Sequence, residues 1–523
     1  MLLQTNVSAQ LDSTNLPLFI IDTYGQPIQD EPKTDATLKI IYSQNKFSHP
    51  SDTATMYDGN IGIEIRGKYS ASLPQKPYGF ETRDSLGESL NVPLFHMPEE
   101  NDWILLANYN DKTFMRNALS FKLFNEMGHY APRTQFAEVI VNNQYTGIYV
   151  LTEKIKRDAN RVNISKLNPD ENDGDNVTGG YIIKVDYYND YNSWESNFKP
   201  IGHTDKTVRF VYEYPSASEI TSVQQNYIQG FIDEFETVLY APNTDTHQKA
   251  RSKYMDTNSF VDYFILNELA RNVDGYKKSS FFHKDKDSKG GLLHAGPVWD
   301  FDWAWKNINE CYFGATDGSG WAFLVQKCDP WPVPPSWMVR LMDDPIFTQK
   351  ANERYFSLRN TILSEDYLFH YIDSVALVLN EPQSRHYQRW PILGINVGTP
   401  ETDLQPTTFA GEISKFKQWI ATRLHWLDAN MPALVVTGLE EKLAESPYHL
   451  YPNPVQTELY IHADKEVRSI GVYTPDGKSM LWINGRDQNS MVLDMQTLSP
   501  GFYLIRTIFA DGSQWTGKFV KVD

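Results

Sequence analysis

The chain has 523 residues, 41% hydrophobic and 22% charged, with 66 acidic against 48 basic side chains. That size and apolar content predict roughly two to four domains with ordinary cores, and they exclude disorder over most of the length. A formal charge of −18 excludes a surface built from clustered Lys and Arg to hold phosphate backbones, so no nucleic-acid partner is expected. Aromatics reach 13%, which predicts large packed cores or a ligand surface that uses stacking. No run of about 18 apolar residues predicts a membrane-spanning helix. The start, MLLQTNVSAQLDSTN, reads as a polar tail over residues 1–15 that follows a removed leader or a cloning junction.

Three apolar, β-branched runs come next, Leu18 to Asp22, Leu38 to Tyr42 and Ile61 to Ile65, separated by Pro, Gly and Asp. They predict a β-rich amino-terminal layer. Helical periodicity then appears in KTFMRNALSFKLFNEMG, with Gly128 where a residue closing the helix belongs. FAEVIVNNQYTGIYVLTE predicts a strand pair turning at Asn142-Asn143. The acidic stretch at 168 to 176 has the oxygen ligands that calcium prefers, but its spacing departs from the EF-hand pattern and it reads as a solvated loop. A helix is expected from Ser259, with Asp262 completing a capping-box pattern, to about Asn272. SSFFHKD and LLHAGPVWDFD then predict a hairpin. WMVRLMDDPIFTQKANERYFSLRNTIL and FAGEISKFKQWIATRLHWLDANM predict a helical region. A polar connector over 436–448 leads to an all-β module, residues 449–523, with hairpin signals at Asp476-Gly477 and Asp511-Gly512.

No HExxH, GxSxG, Walker-type, GxGxxG or CxxC pattern occurs, which leaves carboxylates as the carriers of chemistry. The helix ending in Ala270-Arg271-Asn272 is followed by Asp274, then by Ser279 at the head of the hairpin whose second strand ends in Asp300-Phe301-Asp302. The open end of that hairpin makes Asp274 and Asp300 neighbours. Phosphoryl transfer uses such a pair, one carboxylate to orient the attacking hydroxyl and another to hold Mg²⁺ on the nucleotide phosphates. Asp274 and Ser279 also have the spacing of the protein-kinase catalytic loop, and Asp300-Phe301-Asp302 stands where its metal-binding segment would stand.

The segments RGKYSASLPQKPYGFE, NDWILLANYNDKTFMRNAL, VNNQYTGIYVLTEKI, GGYIIKVD, ARNVDGYKKSSFFHKD and GPVWDFDWAW resemble, in order, the spore-coat CotH family of atypical protein kinases. The resemblance covers residues 16–435. It implies an α+β, two-lobed protein-kinase-like fold, with a β-rich small lobe and a helical large lobe ahead of a small all-β sandwich. It also implies ATP- and Mg²⁺-dependent (or Mn²⁺-dependent) transfer to Ser or Thr of a protein. Carried over by position, Asp274 resembles the catalytic aspartate, Asp300 the metal ligand and Asp302 a second one. Lys76 resembles the lysine that pairs with nucleotide phosphates, Glu153 a hinge acid near the adenine, and Ser279 stands at the second metal-binding Asn. Arg116 is a further candidate for holding phosphate, with a pairing to Asp111 as the plain alternative. No glycine-rich phosphate loop precedes Lys76.

YPNPVQTELYIHA, VYTPDGK, LSPGFYLIR and TGKFVKV resemble the carboxy-terminal sorting domain of type IX secretion substrates. That resemblance implies export to the surface or medium and contact with the type IX machinery. Cys311 and Cys328, with sixteen residues between them, fit either a disulfide or two separate thiols by spacing alone. Export implies the disulfide, which would stabilise its loop by about 3 kcal/mol. The alternative to an exported kinase is a catalytically inactive kinase-like surface protein that binds a protein or glycan.

Overall fold

The computed structural model describes residues 11–432 and 448–522, except 45, 243, 312 and 475–477. Residues 1–10 of the expected tail, most of the expected connector and the Asp476-Gly477 turn lie outside the described residues. The chain divides into two compact units, residues 1–435 and 436–523.

The first unit begins with β1 (Leu18–Asp22), β2 (Thr34–Ile41), β3 (Tyr57–Ile65) and β4 (Tyr78–Arg83). A small hairpin, β5 (Val92–Leu94) and β6 (Met97–Glu100), precedes β7 (Asp102–Ala107). Helix α1 (Arg116–Glu126) and the pair β8 (Thr134–Val141) and β9 (Gln144–Glu153) follow. Asn142 and Asn143 both take left-handed φ values, 48° and 61°, at the tight turn between β8 and β9. Such a turn matches the strand twist and tolerates Asn. Gly128, at φ 102°, stands just beyond the end of α1.

Seven strands close into a barrel in the order β1-β2-β3-β4-β7-β9-β8. Closure is the parallel pairing of β1 with β8, Leu18 opposite Glu138 and Ile21 opposite Val141. Alternation along each strand sorts side chains to two cores. On β7, Trp103 and Leu105 fill the barrel with Phe19, Leu38, Ile63 and Phe80. Ile104 and Leu106 turn outward into a larger core that includes α1.

That larger core is shared with a second sheet, built from β10 (Tyr181–Val185), β11 (Ser193–Glu195), β12 (Arg209–Tyr214), β13 (Ser280–Lys284) and β14 (Leu293–Ala295). Its order is β11-β12-β10-β13-β14, every pairing antiparallel. Helices α2 (Ser222–Tyr240), α3 (Thr244–Lys253) and α4 (Thr257–Ala270) lie between β12 and β13 in sequence. Five more follow: α5 (Trp337–Met342), α6 (Pro345–Arg359), α7 (Glu365–Leu379), α8 (Pro382–Arg389) and α9 (Phe409–Asn430). Helix α4 starts two residues before Ser259. Asp256 is its cap, accepting from the Ser259 amide at 2.7 Å, because an Asp there satisfies the free amides one turn ahead of the expected box.

The two-lobed kinase-like expectation is therefore corrected. The amino-terminal β layer is a closed barrel rather than an open small-lobe sheet. The region expected to be a helical large lobe contains a five-stranded sheet, and its helices are of modest length. One apolar core runs from Leu16 to Met431 across barrel flank, sheet and helices, with no apolar break that would make two lobes. The short strand β11 escapes periodicity because its three residues are too few to show a repeat, while β14 is the expected second strand of the hairpin.

The second unit has β15 (Tyr448–Tyr451), β16 (Glu458–Tyr473), β17 (Ser479–Asp494), β18 (Gly501–Phe509) and β19 (Gln514–Lys521). Here too the expected sandwich of two sheets is corrected to one five-stranded sheet. Strand β16 pairs with β17 along its length, with β15 through its first half and with β18 through its second. The register shifts between His462 and Val467. Leu459 and Ile461 before the shift share one core with Ile470 and Val472 after it, so a bent strand supplies what two sheets were expected to supply. The Asp511-Gly512 turn joins β18 to β19, with Gly512 at φ 81°.

Candidate active site

Helix α4 ends with Arg271 in a left-handed conformation, φ 44°. The residue lacks the freedom of glycine, and its side chain holds it there. The buried guanidinium donates to the carbonyls of Ser319 at 2.9 Å and Ala315 at 3.1 Å and to the Asn307 side chain. The chain then turns sharply. Asn272 Oδ1 accepts from the Asp274 amide at 3.2 Å, and the Asp274 carbonyl accepts from the amides of Lys277 and Lys278. This places Asp274 one short turn before β13.

Asp300 follows β14. Its φ of 59° and that of Ser279, 47°, are both left-handed for residues with a Cβ, conformations that cost about 1–3 kcal/mol each and cluster at functional sites. The two residues meet: Ser279 Oγ donates to Asp300 Oδ2 at 2.6 Å. The Phe301 amide donates to Asn117 Oδ1 on α1 at 2.7 Å, which fixes the segment against the barrel side. Asp302 accepts from the Asn110 side chain, and the Asn110 carbonyl accepts from buried Lys306 Nζ at 3.1 Å.

Asp274, Ser279, Asp300 and Asp302 all line one cavity of about 340 Å³. Cations also line it, none of them expected from the sequence: Arg66 and Lys68 after β3, Lys154 after β9, and Lys184 on β10. Gly67 lets the Arg66-to-Ser70 segment turn at φ 91°, and a Cβ there would meet Ser70 Oγ at 2.3 Å. Lys184 is ion-paired to Glu213 at 2.9 Å and to Asp186 at 3.4 Å. Burial disfavours its charge, but those two acids outweigh it and raise its pKa. Arg66 stands with its guanidinium 5.5 Å over the Trp299 ring. Burial lowers its pKa, with Asp300 acting in the opposite sense.

The acid pair is under-neutralised. Burial first, and then the charge of Asp302, push Asp300 up to about 7. Burial likewise raises Asp302, against the Asn110 hydrogen bond and the Lys306 charge. Ser279 and Asn110 are neutral donors, so they orient these carboxylates without cancelling their charge. Among the described residues, no group of three or more His, Cys, Asp or Glu could hold a metal ion unaided. Mg²⁺ asks for less, one or two carboxylates completed by water and substrate phosphates. Asp300 and Asp302 fit that demand.

Three other expected positions stand apart from the cavity wall. Lys76 Nζ donates to the Ala71 carbonyl at 2.8 Å. Glu153, 1% exposed, is enclosed by Arg133, Arg161 and Tyr130. Arg116, 2% exposed, is paired with Asp111, the plain alternative for that residue. Their neighbours Pro77, Lys154 and Asn117 line the cavity instead. A usable signal existed for Lys184: a single Lys in the otherwise apolar strand YIIKV calls for a buried partner or a ligand. Cys311 and Cys328 form the disulfide that export implies, their Cα atoms 5.4 Å apart.

Comparison with known proteins gives two family matches. The family described as CotH kinase protein matches residues 63–427, and the secretion system C-terminal sorting domain matches residues 449–522. The sorting domain marks the chain for export to the cell surface or the medium. Among the described residues, no helix is long and apolar enough to cross a membrane. The inner spore coat protein H of Bacillus subtilis (strain 168) is 23% identical over 251 residues, 47% of this chain and 59% of the relative. The chain thus spans less than two thirds of that relative's length. Among solved structures, CopC from Methylosinus trichosporium OB3b aligns over 14% of this chain and 90% of its own, at 17% identity and a TM-score of 0.12. The first match extends over more than half of the sequence and contains the whole cavity wall, and on that ground the chain belongs to the CotH kinase protein family.

Proposed function

We propose that this protein transfers the γ-phosphate of ATP to a Ser or Thr hydroxyl of a protein acceptor after export. The observation that carries this reading is that Asp274, Asp300 and Asp302 line one cavity that Arg66, Lys68, Lys154 and Lys184 also line. Phosphoryl transfer needs positioning and charge stabilisation more than covalent chemistry, and these residues supply both. Asp300 and Asp302 would hold a divalent cation, whose chemistry when bound is to neutralise phosphate charge. Arg66, Lys154 and Lys184 face the polyphosphate. Asp274 orients the acceptor hydroxyl and takes its proton as the new oxygen–phosphorus bond forms and the bond to ADP breaks. Lys76, Glu153 and Arg116 have no part in this scheme.

Incubation of the purified protein with labelled ATP and Mg²⁺ or Mn²⁺ tests the reading. Label is expected on the protein itself or on a generic acceptor, and not with Asp274→Asn or Asp300→Asn. Equal label on wild type and variants, together with no nucleotide-induced thermal shift, would overturn it.

A further inference from the structure

Asp274 shares a cation with a residue far from it in sequence. Lys277 Nζ lies 3.2 Å from Asp274 Oδ1 and is also paired with Glu310, and the Lys277 side chain is only 2% exposed. Glu310 directly precedes Cys311, which is bonded to Cys328. The middle of the loop that this bridge closes is held independently of sulfur. Arg271 donates to Ala315 and Ser319, and Arg423 donates to Gly318 and Gly320. At the Glu310 end, the Asn309 amide donates to the Pro400 carbonyl, and Glu310 itself abuts the bridge.

We propose that Glu310 is a positioning residue for Asp274, acting through Lys277, and that the Cys311–Cys328 disulfide keeps it in place. The inference rests on the transfer proposed above. A buried ammonium needs an anionic partner. With Glu310 present, Lys277 is divided between two carboxylates. Without it, Lys277 closes on Asp274, where Lys278 Nζ already stands 3.4 Å from the same oxygen, and the two ammonium groups together occupy the carboxylate that must receive the acceptor hydroxyl. Reduction of the bridge by a dithiol, which gives up two electrons and two protons and closes into its own cyclic disulfide, releases the Glu310 end. The site is then competent in the oxidised chain and mis-set in the reduced one. Thiols stay reduced before export and oxidise after it, so the device confines transfer to the exported protein.

The test uses the full chain, oxidised and after dithiothreitol, with Glu310→Gln, Glu310→Asp and Cys311→Ser/Cys328→Ser variants. Acylation of Lys277 by a succinimidyl ester, read by peptide mass mapping, reports its shielding whether or not the protein transfers phosphate. Reduction and the double Ser variant should each accelerate that acylation by roughly tenfold or more, as local opening does for a buried group, whereas Glu310→Gln, in which Lys277 closes on Asp274, should not. In transfer assays, kcat should fall on the order of 10- to 100-fold with KM for ATP unchanged. Glu310→Asp should restore much of kcat, which a purely structural role would not predict. Unchanged acylation in both the reduced chain and the double Ser variant would show that the turn holds without the bridge, and the inference fails. Absence of transfer in the oxidised wild type would sink the functional reading, while the acylation rates still decide this one.

Discussion

Two sets of buried carboxylates sit on opposite sides of the same chemical choice. At the end of β9, Glu153 accepts from the Arg133 amide at 2.9 Å and its Nε at 3.0 Å, and Arg161 lies 3.8 Å away. In the cavity, Asp300 and Asp302 accept from Ser279 and Asn110, which carry no charge. A carboxylate saturated by guanidinium groups is committed to the fold. One held in place by neutral donors keeps its charge available, at the cost of a raised pKa. The difference separates structural acids from candidate ligands better than burial does.

The largest expected effect falls on the saturated side. Glu153→Gln removes the anion that Arg133 and Arg161 share, leaving Arg161, almost fully buried, with Glu100 alone, and breaking such a buried pair typically costs about 3–5 kcal/mol. Denaturant unfolding should register that loss, while the nucleotide-induced thermal shift of the remaining folded protein persists. Asp300→Asn should do the reverse. Removing one of two mutually repelling carboxylates should leave stability unchanged or raised. Transfer should fall on the order of 10²–10³-fold, the usual scale for losing one electrostatic element of a site. If Asp300→Asn destabilises the protein as much as Glu153→Gln, the distinction drawn here is broken.

How far this contrast was legible in the sequence depends on distance along the chain. β1, α1, the Asn142-Asn143 turn and the hairpin around Asp300 follow from local patterns, and they place Asp274, Ser279, Asp300 and Asp302 together. The barrel was not legible. Its closure is the pairing of Leu18–Ile21 with Glu138–Val141, a contact between segments more than a hundred residues apart that leaves no local trace. The cationic wall was missed for a related reason. Arg66 and Lys154 come from two separate strand ends, where a lone basic residue reads as solvated, whereas Lys184, inside β10, carried a legible signal. Strand alternation explains the near miss at Glu153. Its side chain and that of Lys154 point to opposite sides, so a one-residue choice decides between an arginine nest and the cavity.

A smaller effect sharpens the comparison from the cationic side. His386 is fully buried, its Nδ1 accepts from the Ile148 amide at 3.1 Å, and burial pushes its pKa down to about 3. His283 is pushed down to about 4, by burial first and then by His294. Both folded-state values lie below the ordinary 6.5, so the folded chain binds fewer protons than the unfolded one. The stability these rings contribute is present above pH 6.5 and is lost as pH falls through 6.5 towards 4 and 3. Near pH 5 these two rings contribute an uptake of roughly two protons on unfolding, set against release from Asp300, Glu236 and Glu268, whose carboxyls burial pushes up to about 7. In His386→Gln, melting temperature against pH should show proton uptake on unfolding lowered by about one relative to the wild type, and an unaltered slope would show that His386 does not carry it.

The smallest expected effect concerns two lysines. Lys76 stood out in the sequence as the strand lysine for nucleotide phosphates, yet its ammonium is bonded to the Ala71 carbonyl and it lies off the cavity wall. Lys184 lines the wall, with Glu213 and Asp186 fixing its position. Lys76→Ala should therefore change stability by no more than about 0.5 kcal/mol, the range for a surface substitution away from special features. Its KM for ATP should match that of the wild type. Lys184→Ala should weaken ATP binding, since a charge-assisted contact to phosphate is lost and Glu213 and Asp186 are left facing the nucleotide as unpaired anions. The informative result is the ratio of the two KM values. A ratio near one, or a larger change at Lys76, would return the phosphate contact to the position the sequence first indicated, and would mean that the Ala71 bond gives way when nucleotide enters.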